Sequence, residues 1–343
     1  MLDNHTPYAA ERNWVLDKQA AKSWVVAVKA TFDILPDGTT KVADKQEDPL
    51  YGEEYSGEPG KSSVLYDADL AGPKSGTDVV LNGHAYAPGG KPTTSVTVAM
   101  KVDKITKELK VWGNRRWEKG LLGLAMTPPE PFEKMPLTYE RAFGGWDTKP
   151  EKITDQRLEP RNPIGAGFAI RADHLVNQPL PNVEHPKIQI SSWTDRPPPA
   201  GFGFVASYWL PRLKYAGTYD DKWKKERLPL LAEDFDERFF QSAPEDQQVP
   251  GFLRGSEQVE LVNLSPKSPL SFHLPKVHLG FQTRFGQDRI DHRARLHTVI
   301  LEPDVPRVIM VWHTSLPCPN TRVDYLDQTV IFEKDIARIG DKS

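Results

Sequence analysis

Proline is the residue that most limits what this chain can fold into. It occupies 31 of 343 positions, about 9% against a usual ~5%. The prolines are scattered, as at Pro36, Pro88, Pro211, Pro303 and Pro306, and do not repeat as PxxP. Each one fixes its backbone φ and removes an amide donor, so it breaks helix interiors and confines strands to short runs or edges. The chain is therefore expected to be mainly β, with few and short helices.

Hydrophobic alternation supports this. In residues 22–35, Val26, Val28, Ala30, Phe32 and Ile34 fall on one side and Lys29, Thr31 and Asp33 on the other, the pattern of a half-buried strand. Pro36-Asp37-Gly38 is a turn sequence, so TTKVA is expected to return as a hairpin. VLYDADL, TDVVLNGHAYAP, TTSVTVAMKVD and KELKVWGNRRW continue the β pattern at meander spacing, with no helical period between them. Six later segments, from SEQVELVNLS to QTVIFEK, read as strands again. The pattern predicts antiparallel sheets in a sandwich-like arrangement of two β-rich halves, 1–133 and 134–343, or one continuous domain. The four prolines within residues 120–136 mark the division. A short helix is expected in GTYDDKWKKERLPLL, starting near Asp220 or Asp221 and ending at Pro229.

Leu137 to Asp220 differs from both ends. Gly clusters, a proline run and many aromatics occur together in LTYERAFGGWD, RNPIGAGFAI and PPPAGFGFVASYWLPRLKYAGTYD. Flexible linkers are poor in Trp, Phe and Tyr. The segment is expected to be an ordered, extended wrap over a β scaffold.

The net charge of −3 gives no basic footprint for nucleic acid. The single Cys318 excludes an intrachain disulfide and suits a reducing compartment. The polar N-terminus MLDNHTPYAAERNW lacks the apolar core of a signal peptide, and no apolar run reaches the ~18 residues of a membrane span. A cytoplasmic protein without membrane or nucleic-acid partners is expected.

Catalytic and cofactor templates fail one by one. His292 and His297 lie five apart, which on a strand places them on opposite faces unless a bulge intervenes; His273 and His278 share the difficulty. The glycines of AGFGF and GAGF do not stand between a strand and a helix and lack a following Lys-Ser/Thr, so they fit tight turns beneath aromatics better than phosphate loops. No GxSxG elbow is present, and Cys318 lies between prolines with no cation beside it in sequence. No catalytic residue, metal or cofactor is indicated.

Arg141, in YERAFGG, and Arg212, after Trp209-Leu210-Pro211, stand among aromatics and prolines. One reading is a buried guanidinium that staples the wrap to the sheet. The other is an anchor in a partner site, because interface cores favour Trp, Tyr, Phe and Arg. On the second reading the candidate partner-binding residues are Arg141, Phe143, Trp146, Trp209, Pro211 and Arg212.

The ordered set VKATFDI, GTDVVLNGHAYAPGG, VWGNRRW, YERAFGGWD, NPIGAGF, PAGFG, WLPR, GTYDDKW, LPLLAEDFDERFFQSAPEDQQ, LRGSEQVELVNL and LHTVILEPD resembles a bacterial family of unknown-function domains. That family is encoded beside PAAR-repeat and VgrG spike genes in type VI secretion clusters. The resemblance runs from about Trp24 to Phe332 and departs at Asn114, His297 and His313, where Asp, Asp and Arg are expected. It implies a non-enzymatic adaptor or chaperone that binds a PAAR-containing effector, or its N-terminal region, and helps load it onto the VgrG spike. Two other expectations compete: a hydrolase or carbohydrate-active β protein with dispersed carboxylates and aromatics, and a structural component of the secreted particle.

Overall fold

The structure, a computed structural model, describes residues 1–121, 123–318 and 320–334; residues 335–343, the end of the range 134–343, lie outside them. The protein is mainly β, with predominantly antiparallel sheets and, among the described residues, two short α-helices, Leu210–Leu213 and Asp221–Glu226. The second has the expected start, with the Asp220 carboxylate accepting the Trp223 N–H at 2.8 Å. No helix among the described residues is long and apolar enough to cross a membrane.

The scaffold is a seven-stranded main sheet. Its order is Gln248–Pro250, Gly76–Leu81, Arg295–Glu302, Arg307–Pro317, Lys22–Ile34 and Ala9–Leu16, with Thr40–Val42 also paired to Lys22–Ile34 as the expected hairpin. Strands from 1–133 and 134–343 thus share one sheet. The early strands do not form the expected meander. Gly76–Leu81 pairs in parallel with Arg295–Glu302, because the sheet's centre is filled by the most apolar strands wherever they lie in the chain.

One face of this sheet packs on a five-stranded sheet containing Ser95–Val102, Ile105–Trp112 and Gln258–Val262, giving the sandwich. A single apolar cluster joins Val26, Val28, Val79, Leu301, Met310 and Trp312 to Val98, Met100, Leu109 and Leu261. A four-stranded sheet closes the same core through Phe281 and Ile331, and the Trp24 indole N–H donates to Thr329 Oγ1 at 2.9 Å.

The other face is covered by irregular chain: the wrap over one part, and the segment around Asp69 and Leu70 over Val25, Ala27, Lys29 and Val311. Under the wrap, Val80, Ile300 and Ile309 pack against Tyr139, Phe204, Val205 and Trp209. This corrects the half-buried reading of residues 22–35: Lys29 and Thr31 are as buried as their apolar neighbours. Periodicity identified two faces but could not show that the polar one is covered by an irregular segment, where Asp69 meets Lys29, Gln46 meets the Thr31 backbone and Tyr66 lies under the Lys29 ammonium.

Candidate functional site

The wrap shapes a groove of about 470 Å³ beside the short helix Leu210–Leu213. Pro211 fits the first turn of that helix, where its missing N–H is not needed. The Leu210 N–H donates to the Pro160 carbonyl at 2.8 Å, tying the helix to the preceding loop. Trp209 is fully buried and meets the Tyr139 ring edge-on at 5.1 Å. Together they floor the groove, whose walls carry Pro198, Pro199, Pro211 and Pro244. Its cations are already paired: Lys107 with Asp246 at 2.8 Å, Lys214 with Glu245 at 3.0 Å, and Arg161 with Glu159 at 2.7 Å. The groove is apolar and electrically compensated.

Arg212 faces inward from the same helix. Its Nη1 donates to the Val205 carbonyl at 2.9 Å and its Nε to the Phe239 carbonyl at 3.1 Å. Glu53 and Asp67 lie 3.5 Å from Nη1, and the guanidinium stacks over the Phe239 ring. This is the geometry of a staple, made by a planar fork that can bond two carbonyls and two carboxylates at once.

Arg141, Phe143 and Trp146 belong to a neighbouring glycine-rich knot. Gly144 and Gly145 have φ of +153° and +109°, and a Cβ on Gly144 would stand 2.1 Å from the Asn162 carbonyl oxygen. Only glycine allows this approach. The buried Asn162 side chain donates to the carbonyls of Tyr139 and Phe143 at 2.8 and 3.1 Å. Phe143 is buried with Trp117 and Leu180, while Arg141 donates to Asn182 Oδ1 at 2.9 Å. Trp146 is 53% exposed. Beside it the Asp147 carboxylate is 2.7 Å from His174 Nδ1 and also accepts the Ile170 N–H. Burial pushes the Asp147 carboxyl up, but these hydrogen bonds prevail and hold it below its usual range. The six sequence candidates therefore divide: Trp209 and Pro211 line the groove, Arg212 and Phe143 are internal, Arg141 is half-buried, and Trp146 stands at the surface.

On the same face of the main sheet, beside the wrap, buried polar groups gather under Asp69, Ala71 and Gln241. Lys29 Nζ lies 2.9 Å from Asp69 Oδ2. Burial, opposed by Lys29, pushes the Asp69 carboxyl up. Lys74 Nζ lies 2.6 Å from Asp78 Oδ2 and donates to Thr298 and Ser242 hydroxyls at 3.1 and 3.2 Å. The Gln241 amide and the Ser242 N–H, both from the C-terminal half of the chain, donate to Asp78 at 2.8 Å. His297 occupies a bulge between Leu296 and Thr298. The bulge turns it towards the wrap side, where it stacks on His313 at 4.3 Å and on Phe252 at 5.8 Å. His313 Nε2 is 3.0 Å from the Ala71 carbonyl. Burial, aided by the Lys74 charge, lowers the His313 pKa to about 4; burial, His313 and Lys74 take His297 well below its usual range. Two of the three positions that depart from the family pattern thus meet. Asn114 lies elsewhere, against Asn182 at 3.3 Å. The signal for this cluster was a Lys and an Asp four apart just before and within an apolar strand.

A second cleft, of about 340 Å³, holds Glu302 and Asp304. Arg307 and the Tyr66 hydroxyl hold Glu302 at 2.5 and 2.6 Å; His84 and the Tyr86 hydroxyl hold Asp304 at 2.5 and 2.7 Å. Burial raises the Asp304 carboxyl, but the His84 and Tyr86 bonds outweigh it and leave it below the ordinary range. A general acid for glycoside hydrolysis needs the opposite shift. Among the described residues no group of three or more His, Cys, Asp or Glu is placed to hold a metal.

No curated protein and no solved structure matches this chain. Residues 19–313 match a bacterial family described as an uncharacterized protein conserved in bacteria, DUF2169. That span includes the main sheet's inner strands, the wrap and the groove, and the chain belongs to the DUF2169 family.

Proposed function

We propose that this protein is a cytoplasmic, non-enzymatic adaptor or chaperone for a type VI secretion effector. It binds a PAAR-containing effector or its N-terminal region and helps mount it on the VgrG spike. The observation that carries the reading is the apolar, charge-compensated groove floored by Trp209 and Tyr139. Such a surface suits covering apolar polypeptide that would otherwise aggregate. The likeness of the ordered motifs to the family encoded beside spike genes supplies the identity of the partner.

The test is co-expression with the effector encoded beside it, followed by affinity purification. A stoichiometric complex, with the effector insoluble when made alone, is the expected result. A soluble effector that never co-purifies, and that is secreted fully in a clean deletion, would overturn the proposal. The hydrolase alternative has one place to be tested, the Glu302–Asp304 cleft. Glycan hydrolysis abolished by Asp304→Asn would favour it.

A further inference from the structure

Beyond the groove, exposed apolar residues continue along the surface. Leu210 and Leu213 project from the short helix, and Leu158 and Trp146 are exposed and directly paired across a two-stranded ribbon. The ribbon is tied to the groove. Leu210 is bonded to the Pro160 carbonyl, and Arg161, which lines the groove, is three residues from Leu158. Three extended residues span roughly 10 Å, and a cross-strand partner adds roughly 5 Å. The exposed indole therefore lies within about 15 Å of the groove wall, the reach of four or five residues of extended peptide.

Two features select the occupant. The rim cations Lys107, Lys214 and Arg161 are each taken by a neighbouring carboxylate, so no charge awaits a charged ligand, and a charged segment would have to displace an existing pair. The proline walls also offer few amide donors, so strand addition is disfavoured and side-chain burial must do the recognising.

We infer that the groove and the Trp146–Leu158 ribbon form one docking face for an extended, uncharged, apolar segment of the effector. This rests on the adaptor reading above and specifies where and what it binds. A small apolar ligand would fill the groove but leave the ribbon unused.

The experiment uses the full chain co-expressed with the neighbouring effector. Leu210→Asp should lower the effector recovered by about tenfold, and Trp146→Ala and Leu158→Ser should lower it severalfold, with thermal unfolding unchanged for the two ribbon variants. A benzoylphenylalanine photocrosslinker in place of Leu210 should capture an uncharged apolar stretch of the effector, whereas one in place of exposed Val262, on the five-stranded sheet, should capture none. A wild-type complex that survives all three substitutions and crosslinks only from position 262 would overturn this face while leaving the adaptor reading intact. Loss with Leu210→Asp but full binding by both ribbon variants would confine binding to the groove and overturn the extended segment. A crosslink to a charged segment would overturn the stated occupant. No complex with the wild-type chain would defeat both proposals.

Discussion

The two faces of the main sheet are built from the same strands but covered in different ways. Towards the five-stranded sheet, Val26, Val28, Val79, Leu301 and Met310 belong to one large apolar cluster. On the opposite face, which irregular chain covers, the same strands present Lys29, Asp78, His297, Glu302 and His313, all buried. A regular sheet delivers side chains at fixed two-residue spacing and uses its backbone groups in its own ladder. It is a good cover for an apolar face. An irregular segment can bring one carboxylate, amide or carbonyl to one place, as Asp69, Gln241 and Ala71 do here. Buried charges need such individual partners. The irregularity of these loops is thus the form that this polar face requires.

The largest effects should come from removing one member of the polar cover. Asp78→Ala leaves Lys74 charged and unpaired in the interior, and should cost about 3–5 kcal/mol in urea unfolding. Trp209→Ala should cost a similar ~3–5 kcal/mol, because the fully buried indole leaves a cavity beneath the wrap. If Asp78→Ala were as mild as a surface change, the contrast between the faces would be only descriptive.

Acid offers a second, somewhat smaller probe. His313 and His297 stay neutral in the fold, while in the unfolded chain they bind protons near pH 6.5. Their contribution is complete above that pH and is lost as the pH falls towards the depressed folded value, about 4 for His313. The loss for His313 alone should be roughly 3 kcal/mol by pH 4. His292, also lowered to about 4 by burial, acts in the same direction. His313→Gln should make stability fall less steeply between pH 6.5 and 4; an unchanged slope would remove this stack from the account of acid sensitivity.

The double substitution Lys29→Met with Asp69→Leu sharpens the comparison by making one site on the polar face resemble the apolar one. It should leave stability within ~1 kcal/mol of wild type, or raise it, whereas Asp69→Ala alone should cost about 3–5 kcal/mol. A double variant as unstable as the single one would show that this face needs the pair for more than charge balance. Trp146→Ala marks the small end of the scale. At this exposed position the midpoint of unfolding should move by no more than about 0.5 kcal/mol, and effector recovery is the quantity expected to respond.

Much of the β scaffold was legible because strand periodicity is local. The alternation of residues 22–35, the Pro36-Asp37-Gly38 hairpin and the Asp220-capped helix all follow from neighbours in sequence. The order of the strands was not, since the parallel pairing of Gly76–Leu81 with Arg295–Glu302 depends on which apolar strands fill the centre. The site shows the same division. Trp209 and Pro211 were marked by composition and do line the groove. Identical reasoning applied to Trp146 could not tell that one tryptophan lies at 0% and the other at 53% exposure. The odd spacing of His292 and His297 matters only if both lie on one strand; they end one strand and enter the next, Asp288–His292 and Arg295–Glu302, and the bulge at His297 presents it to His313 on the adjacent strand.

By itself, then, the sequence determined the class of fold, many of its strands and the start of one short helix, and the presence of an ordered aromatic wrap. Proline, glycine and two-residue alternation act on a chain within a few residues of where they stand. Only the tertiary structure decided which face of the sheet is polar, which charges are buried together, and which aromatics remain at the surface to be used. Those depend on residues 40 to 242 positions apart meeting, as Lys29 meets Asp69, Lys74 meets Thr298 and His313 meets Ala71.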